Sequence, residues 1–169
     1  NHEELYGLLR TGETDIVFND QRRAFSDEYV NLILTNCRSY IEVFARSPLA
    51  QMESISPPEL KNIPCVLVAS AGQRETEQEY YHDVVGFQGE FLYAENLEEA
   101  RLMVIGRKGF FPVEGTGKAA QMGTSIIRVP LVRGEEPILR NYCAFWKKEN
   151  TDRYVNEFAK LLKAQFEDG

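Results

Sequence analysis

The chain is poor in the residues that most often hold metals or close disulfides. Only two histidines and three cysteines occur in 169 residues. His2 and His82 have no partner at ligand spacing, and Cys37, Cys65 and Cys143 lie far apart. Metal sites want closely spaced ligands, so none is expected. An odd number of cysteines in apolar or strand-like settings reads as reduced thiols in the core of a cytosolic protein. No run approaches the ~18 apolar residues of a membrane-spanning helix. The opening "NHEELYGLLR" is polar and acidic, where a secretory signal needs a basic start and an apolar core. Positive charge is scarce too, with a formal net charge of -7. Holding nucleic acid unaided takes concentrated Lys and Arg. The one compact basic cluster, Arg22-Arg23, has Asp20 and Asp27 close by and reads as a solvated loop.

Catalytic signatures are missing as well. "EGTGKAAQ" invites a phosphate-loop reading, but Pro112 stands where the first glycine belongs and Ala119 where Ser or Thr must follow Lys118. Ser70 ends "CVLVAS", yet "VASAG" is not a nucleophile elbow. No catalytic residue, metal or cofactor is therefore expected, and the chain does not read as an enzyme.

What is present is a packed α/β pattern. Hydrophobic residues make up 43% of the chain, ordinary for a globular protein. Leu5, Leu8 and Leu9 mark a helix over residues 1–10, ended by Gly12, and "DIVF" a buried strand from Asp15 to Phe18. That strand's natural neighbours are expected upstream of Asn1. Tyr29 to Ala45 predicts one long strand, or two with a kink near Asn36. Ser56, Pro57 and Glu59 spell a capped helical turn. "CVLV" predicts a parallel strand covered on both faces, followed by a helix from Arg74 to Val85 that Gly86 stops. "GEFLYAE" is the next strand.

Asn96 then caps a helix, with Glu99 reaching back to the cap. Leu97, Ala100, Met103 and Val104 form its inner face, and Leu102 and Ile105 are expected to bury the last turn nearly all round. Gly106 or Gly109 ends it, and "FFPV" returns as a buried strand of a parallel unit. "EGTGKAAQMGTS" reads as a linker. "IIRVPLV" and "ILRNYCAFWKK" are two more strands. Asn150 or Thr151 caps a last helix with Val155, Phe158, Leu162 and Phe166 on one face.

In a parallel α/β sheet the strand ends and helix N-termini face one crevice. Ser70, Ala71 and Gly72 before one helix and Asn96 before the next supply N–H groups, a hydroxyl and an amide. They suit a small ligand with an anionic group. They equally suit simple capping, and the pattern alone supports both.

The order of elements resembles the LysR-type transcriptional regulators. "LLRTGETDIVF", "ARSPLAQMESISPPELKNIPCVLVAS", "ENLEEARLMVIGRKGFFPVEG" and "YCAFWKKEN" with the final helix match family segments in order along nearly the whole chain. The resemblance implies an effector-binding domain with the α/β, two-lobed fold of type 2 periplasmic binding proteins, the lobes joined by two crossing strands. Lobe I would comprise residues 1–45 and 127–169, and lobe II residues 46–126. The family's first strand, helix and strand, and the winged helix-turn-helix before them, would precede Asn1. DNA would be bound only by that separate part, in a cytoplasmic homodimer or tetramer.

The resemblance also implies a cleft lined by Ser70, Ala71, Gly72 and Asn96, by Phe18, Asn19 and Asp20 after the lobe I strand, and by His2, with Phe111 and Pro112 at its floor. A small-molecule effector would bind there, with no membrane partner. A transporter's solute-binding protein of the same fold is the alternative, against which the unpaired cysteines and "SPLA…PPEL" weigh.

Overall fold

The computed structural model describes residues 2–22, 25–115 and 125–167. They fall into two compact units, Asn1–Asn36 with Arg140–Gly169, and Cys37–Leu139. Among the described residues no helix is long and apolar enough to cross a membrane. The expected linker lies mostly outside the described residues, as do Lys118 and Arg23.

The first unit is a small sheet with a helix on either face. Strand β1 (Val17–Asp20) pairs antiparallel with the late strand β9 (Leu139–Lys147), which also neighbours the long strand β2 (Tyr29–Phe44). The alternation of β9 explains both layers. Cys143 and Phe145 join the cluster of helix α1 (His2–Thr11) with Leu9, Val17 and Tyr29. Ala144 and Trp146 join the cluster of the terminal helix α4 (Arg153–Glu167) with Leu34, Val155 and Ala159. The expected strand over Asp15–Phe18 is shifted by two residues. Its second residue, Phe18, is 48% exposed rather than buried.

Helix α4 departs from expectation in two ways. Its cap is Asp152, whose carboxylate accepts the Tyr154 N–H at 2.9 Å, while the Asn150 side chain accepts the N–H of Asp152. Its buried line runs through Val155 and Ala159, and Phe158 remains 52% exposed. Asp152→Ala is expected to cost about 1 kcal/mol, the usual loss of a capping oxygen, read as a lowered urea midpoint at unchanged slope.

The second unit holds the later half of β2, which pairs antiparallel with β5 (Phe111–Gly115) and β6 (Ile126–Pro130). Strands β3 (Cys65–Val68) and β4 (Phe91–Ala94) run parallel. One further antiparallel pair joins β7 (Val132–Arg133) to β8 (Glu136–Pro137). In β3, Cys65 and Leu67 face one cluster with Tyr80, Val85 and Phe87. Val66 faces the other, with Ala100 and Val104 of helix α3 (Leu97–Ile105). A strand covered on both faces must be apolar at every position, as "CVLV" is. Burial pushes the Cys65 thiol well above its ordinary pKa, and all three cysteines are free thiols.

Strand β5 corrects the parallel unit read from "FFPV". Its ladder is antiparallel to β2, and only Phe110 makes a parallel bridge to Cys65. The short joint before it depends on a bare backbone. A Cβ on Gly109 would lie 2.2 Å from the Pro64 carbonyl oxygen, and one on Gly89 would lie 2.5 Å from that of Ile63.

The helix expected from Arg74 to Val85 is α-helical only to Glu79, as α2 (Arg74–Glu79), and then π-helical from Tyr80 to Val85. Residues five apart on an α-helix point about 140° apart. The wider turn lets Tyr80 and Val85 enter the same core. Gly86 ends it at φ 100°, and the Arg133 guanidinium donates to the Val84 and Val85 carbonyls at 2.9 and 3.0 Å.

One charge sits in this core. Glu42, on β2, is fully buried. Arg101 of α3 grips it with two bonds of 3.0 Å, and Arg128 of β6 donates a third at 3.0 Å. Glu42 in turn raises the Arg101 pKa from its ordinary value.

Candidate functional site

Parallel pairing sets the first candidate. Val68 lies opposite Ala94, so the turns after β3 and β4 emerge at one edge of the second unit. Ser70, Ala71, Gly72 and Asn96 are exposed on those turns. The Ser70 hydroxyl donates to Gln73 Oε1 at 2.8 Å. The Asn96 side chain caps α3 by accepting the Glu99 N–H at 2.9 Å. Glu99 reaches back one residue past the cap, to the Glu95 N–H at 2.6 Å. That carboxylate occupies a donor at the end of α3 where an external anion would otherwise be favoured. Arg74 brings a cation to the same edge, its guanidinium 4.8 Å from the centre of the Tyr93 ring. Tyr93 donates to Gln78 Oε1 at 2.6 Å.

In the first unit, Phe18 stacks against Tyr142 and Phe166. Asn19 Oδ1 accepts the neighbouring Asp20 N–H at 2.8 Å. The Asp20 carboxylate is buried and takes bonds from Arg22 at 3.0 Å and Arg140 at 2.6 Å. It also borders a cavity of about 20 Å³ beside Cys143, room for one water. Burial, with Asp20's charge second, raises the Cys143 pKa. His2 opens α1, and its side chain lies outside the described residues. In the second unit Phe111 and Pro112 are both buried in β5, with Phe111 in the cluster of α3. They are not among the rim residues.

A feature the sequence did not disclose lies at the other edge of β3. A cavity of about 370 Å³ opens where β3 and β5 begin, between the end of β2, the 3-10 turn Pro48–Gln51 and the end of α3. Phe44, Leu49, Ile63 and Val104 are among its walls, and Arg46 and Arg107 are its charged lining residues. Arg107 is the residue in the left-handed region, at φ 58°, while Gly106 beside it has φ -72°. The Arg107 N–H bonds to Val104 O and the Lys108 N–H to Met103 O, the Schellman pattern in which glycine usually takes the left-handed place. Placing arginine there costs about 1–2 kcal/mol. Its guanidinium lies 4.9 Å from the centre of the Phe44 ring. Gly106 is the cap residue that ends α3, as the sequence offered, and the left-handed residue is the next one along.

Helix α3 is also less covered than expected, at its first residue as well as in its last turn. Leu97, Leu102 and Ile105 are 45%, 66% and 40% exposed, and only Ala100 and Val104 are buried. The apolar stripe was read too wide because periodicity records which residues are apolar, not which face a neighbour covers. Among the described residues no group of three or more His, Cys, Asp or Glu is placed to hold a metal.

This architecture is that of the regulatory domains of LysR-family regulators, the two-lobed α/β class. The reduced OxyR regulatory domain of Pseudomonas aeruginosa superposes with a TM-score of 0.64 at 17% identity, covering 97% of this chain and 77% of that one. The MetR regulatory domain of N. meningitidis gives 0.70 at 12% identity, covering 94% and 76%. The effector-binding domain of a BenM variant gives 0.66 at 16%, covering 97% and 76%. The chain spans 52% of full-length OxyR. No family model and no curated protein sequence matches it.

Proposed function

We propose that the chain is the effector-sensing domain of a bacterial LysR-type transcriptional regulator. A small metabolite, anionic in our reading, binds in the cleft between the two lobes and controls DNA binding by a separate winged helix-turn-helix. Likeness of fold along 97% of the chain to domains of that family is the observation that carries this. Residues 1–45 and 127–169 are proposed as lobe I and residues 46–126 as lobe II. Phe18, Asn19, Asp20 and His2 are assigned to one wall and Ser70, Ala71, Gly72 and Asn96 to the other, with Phe111 and Pro112 behind them. At the second wall, Arg74 is the cation that would meet an anionic group.

Only a ligand with different affinity for two arrangements can shift their balance. The full-length protein is proposed to act in the cytoplasm as a homodimer or tetramer. The gene upstream of Asn1 decides between this and transport: a helix-turn-helix supports sensing, and a signal peptide overturns it. A metabolite found by thermal-shift screening at ~100 times its dissociation constant should add about 2.7 kcal/mol. Ser70→Ala and Asn96→Asp, the second of which keeps a capping oxygen, are each expected to weaken it about tenfold, the worth of one good polar contact. Unchanged affinity in both would remove the rim from the site.

A further inference from the structure

We infer that the cavity at the start of β3 and β5 is a second ligand site, taking a small organic acid with an apolar body. This stands independently of the sensing proposal, since it uses none of the rim residues. Its volume of about 370 Å³ lies in the range of small-molecule pockets. The walls are largely hydrocarbon, from Phe44, Leu49, Ile63 and Val104. Arg46 and Arg107 line it without an acidic residue among its lining. Among the described residues no carboxylate pairs with either.

The charge balance separates the two edges of β3. The rim carries Glu95, Glu98 and Glu99 beside Asn96, and Glu75 beside Arg74. The cavity carries two guanidiniums. An acid whose ring or branched chain fills the apolar walls would leave its carboxylate to these arginines, which match it geometrically as forked donors. The position of Arg107 adds to this. A glycine would satisfy the left-handed turn without strain, yet the residue there is an arginine, with its guanidinium laid on the Phe44 ring. The turn is thus the place where a side chain is held against its backbone preference. The rim and the cavity lie at opposite ends of a four-residue strand, about 13 Å of chain.

The test is calorimetric titration of this chain with 4-phenylbutyrate, indole-3-acetate and 4-methylpentanoate, with 4-phenylbutyramide as the uncharged control. At least one acid is expected to bind at millimolar concentration or better, and the amide at least tenfold more weakly than 4-phenylbutyrate. Arg107→Gly removes the cation and relieves the left-handed backbone, so it should fold at least as well. It is expected to weaken the acid about tenfold or more, as loss of a charged hydrogen bond does, and Arg46→Gln to weaken it as well. Leu49→Trp, which fills the cavity, should abolish binding. Ser70→Ala should leave it unchanged. Binding by none of the acids overturns the proposal, as does full affinity in both Arg107→Gly and Arg46→Gln. Loss of binding in Ser70→Ala would place the acid at the rim and overturn it too, while leaving the sensing proposal standing.

Discussion

Glu42→Ala is expected to lower stability by about 3–5 kcal/mol, the cost of breaking a buried ion pair by removing one partner. The carboxylate is fully buried and accepts from two arginines that are themselves only 21% and 15% exposed. Removing it leaves two guanidiniums half-withdrawn from water with no counter-charge. The loss is therefore the cost of stranded charge more than the worth of the bonds. A cycle separates the two. If stranded charge dominates, Glu42→Leu together with Arg101→Met and Arg128→Met should recover most of the loss, because a buried triad often does no better than a packed apolar one. Urea denaturation of the parent and the two variants measures this, and a Glu42→Ala midpoint within error of the parent would refute it. Arg128 sits directly opposite Glu42 in the ladder, and Arg101 arrives from α3. The triad thus fixes the register of two strands and the seat of a helix in a single contact.

Gly109→Ala should be the second large loss, above about 3 kcal/mol, at the upper end of what overpacking costs. The new methyl would lie 2.2 Å from the Pro64 carbonyl oxygen, a backbone atom that cannot swing away. That same oxygen accepts the Phe110 N–H at 3.0 Å, and Phe110 O accepts from Val66 at 2.8 Å. Relieving the clash therefore breaks the parallel start as well. Gly7→Ala is the control. Its added Cβ meets nothing within 4 Å, and it lies inside α1. There alanine should raise stability by about 0.5–1 kcal/mol. Equal melting temperatures for the two variants would show that the close approach at Gly109 is not binding on the fold.

Local chemistry was legible wherever one residue type answers one backbone demand. The turn at Pro57–Leu60 begins with the Ser56 N–H and hydroxyl both given to Glu59, each at 2.8 Å, and these bonds lower the Glu59 pKa. Asn96 accepts from Glu99, and Gly86 ends its helix in the left-handed region. The uninterrupted apolar run of β3 marked a doubly covered strand. The misses are matters of partner. "FFPV" says that a strand is buried, not that β2 rather than β3 will carry most of its ladder. The lone acid in "YIEVF" was the available signal for Glu42, but its arginines lie 59 and 86 residues away. Of the candidate site, pairing of β3 with β4 brings Ser70 and Asn96 to one edge, as parallel strands require. The arginine-lined cavity draws on three separate stretches of chain, 43–49, 63 and 104–110, and leaves no local signature.

The π-helical stretch from Tyr80 to Val85 also bears on how this chain aligns with others of its fold. A π turn holds one residue more than the α turn it replaces. A protein with plain α-helix there needs one residue fewer between Arg74 and Gly86. Written without a gap, the two sequences would fall out of phase from Tyr80 onward. The buried position of Val85 would then be matched to a residue on the solvent side, and a shared core would look like divergence.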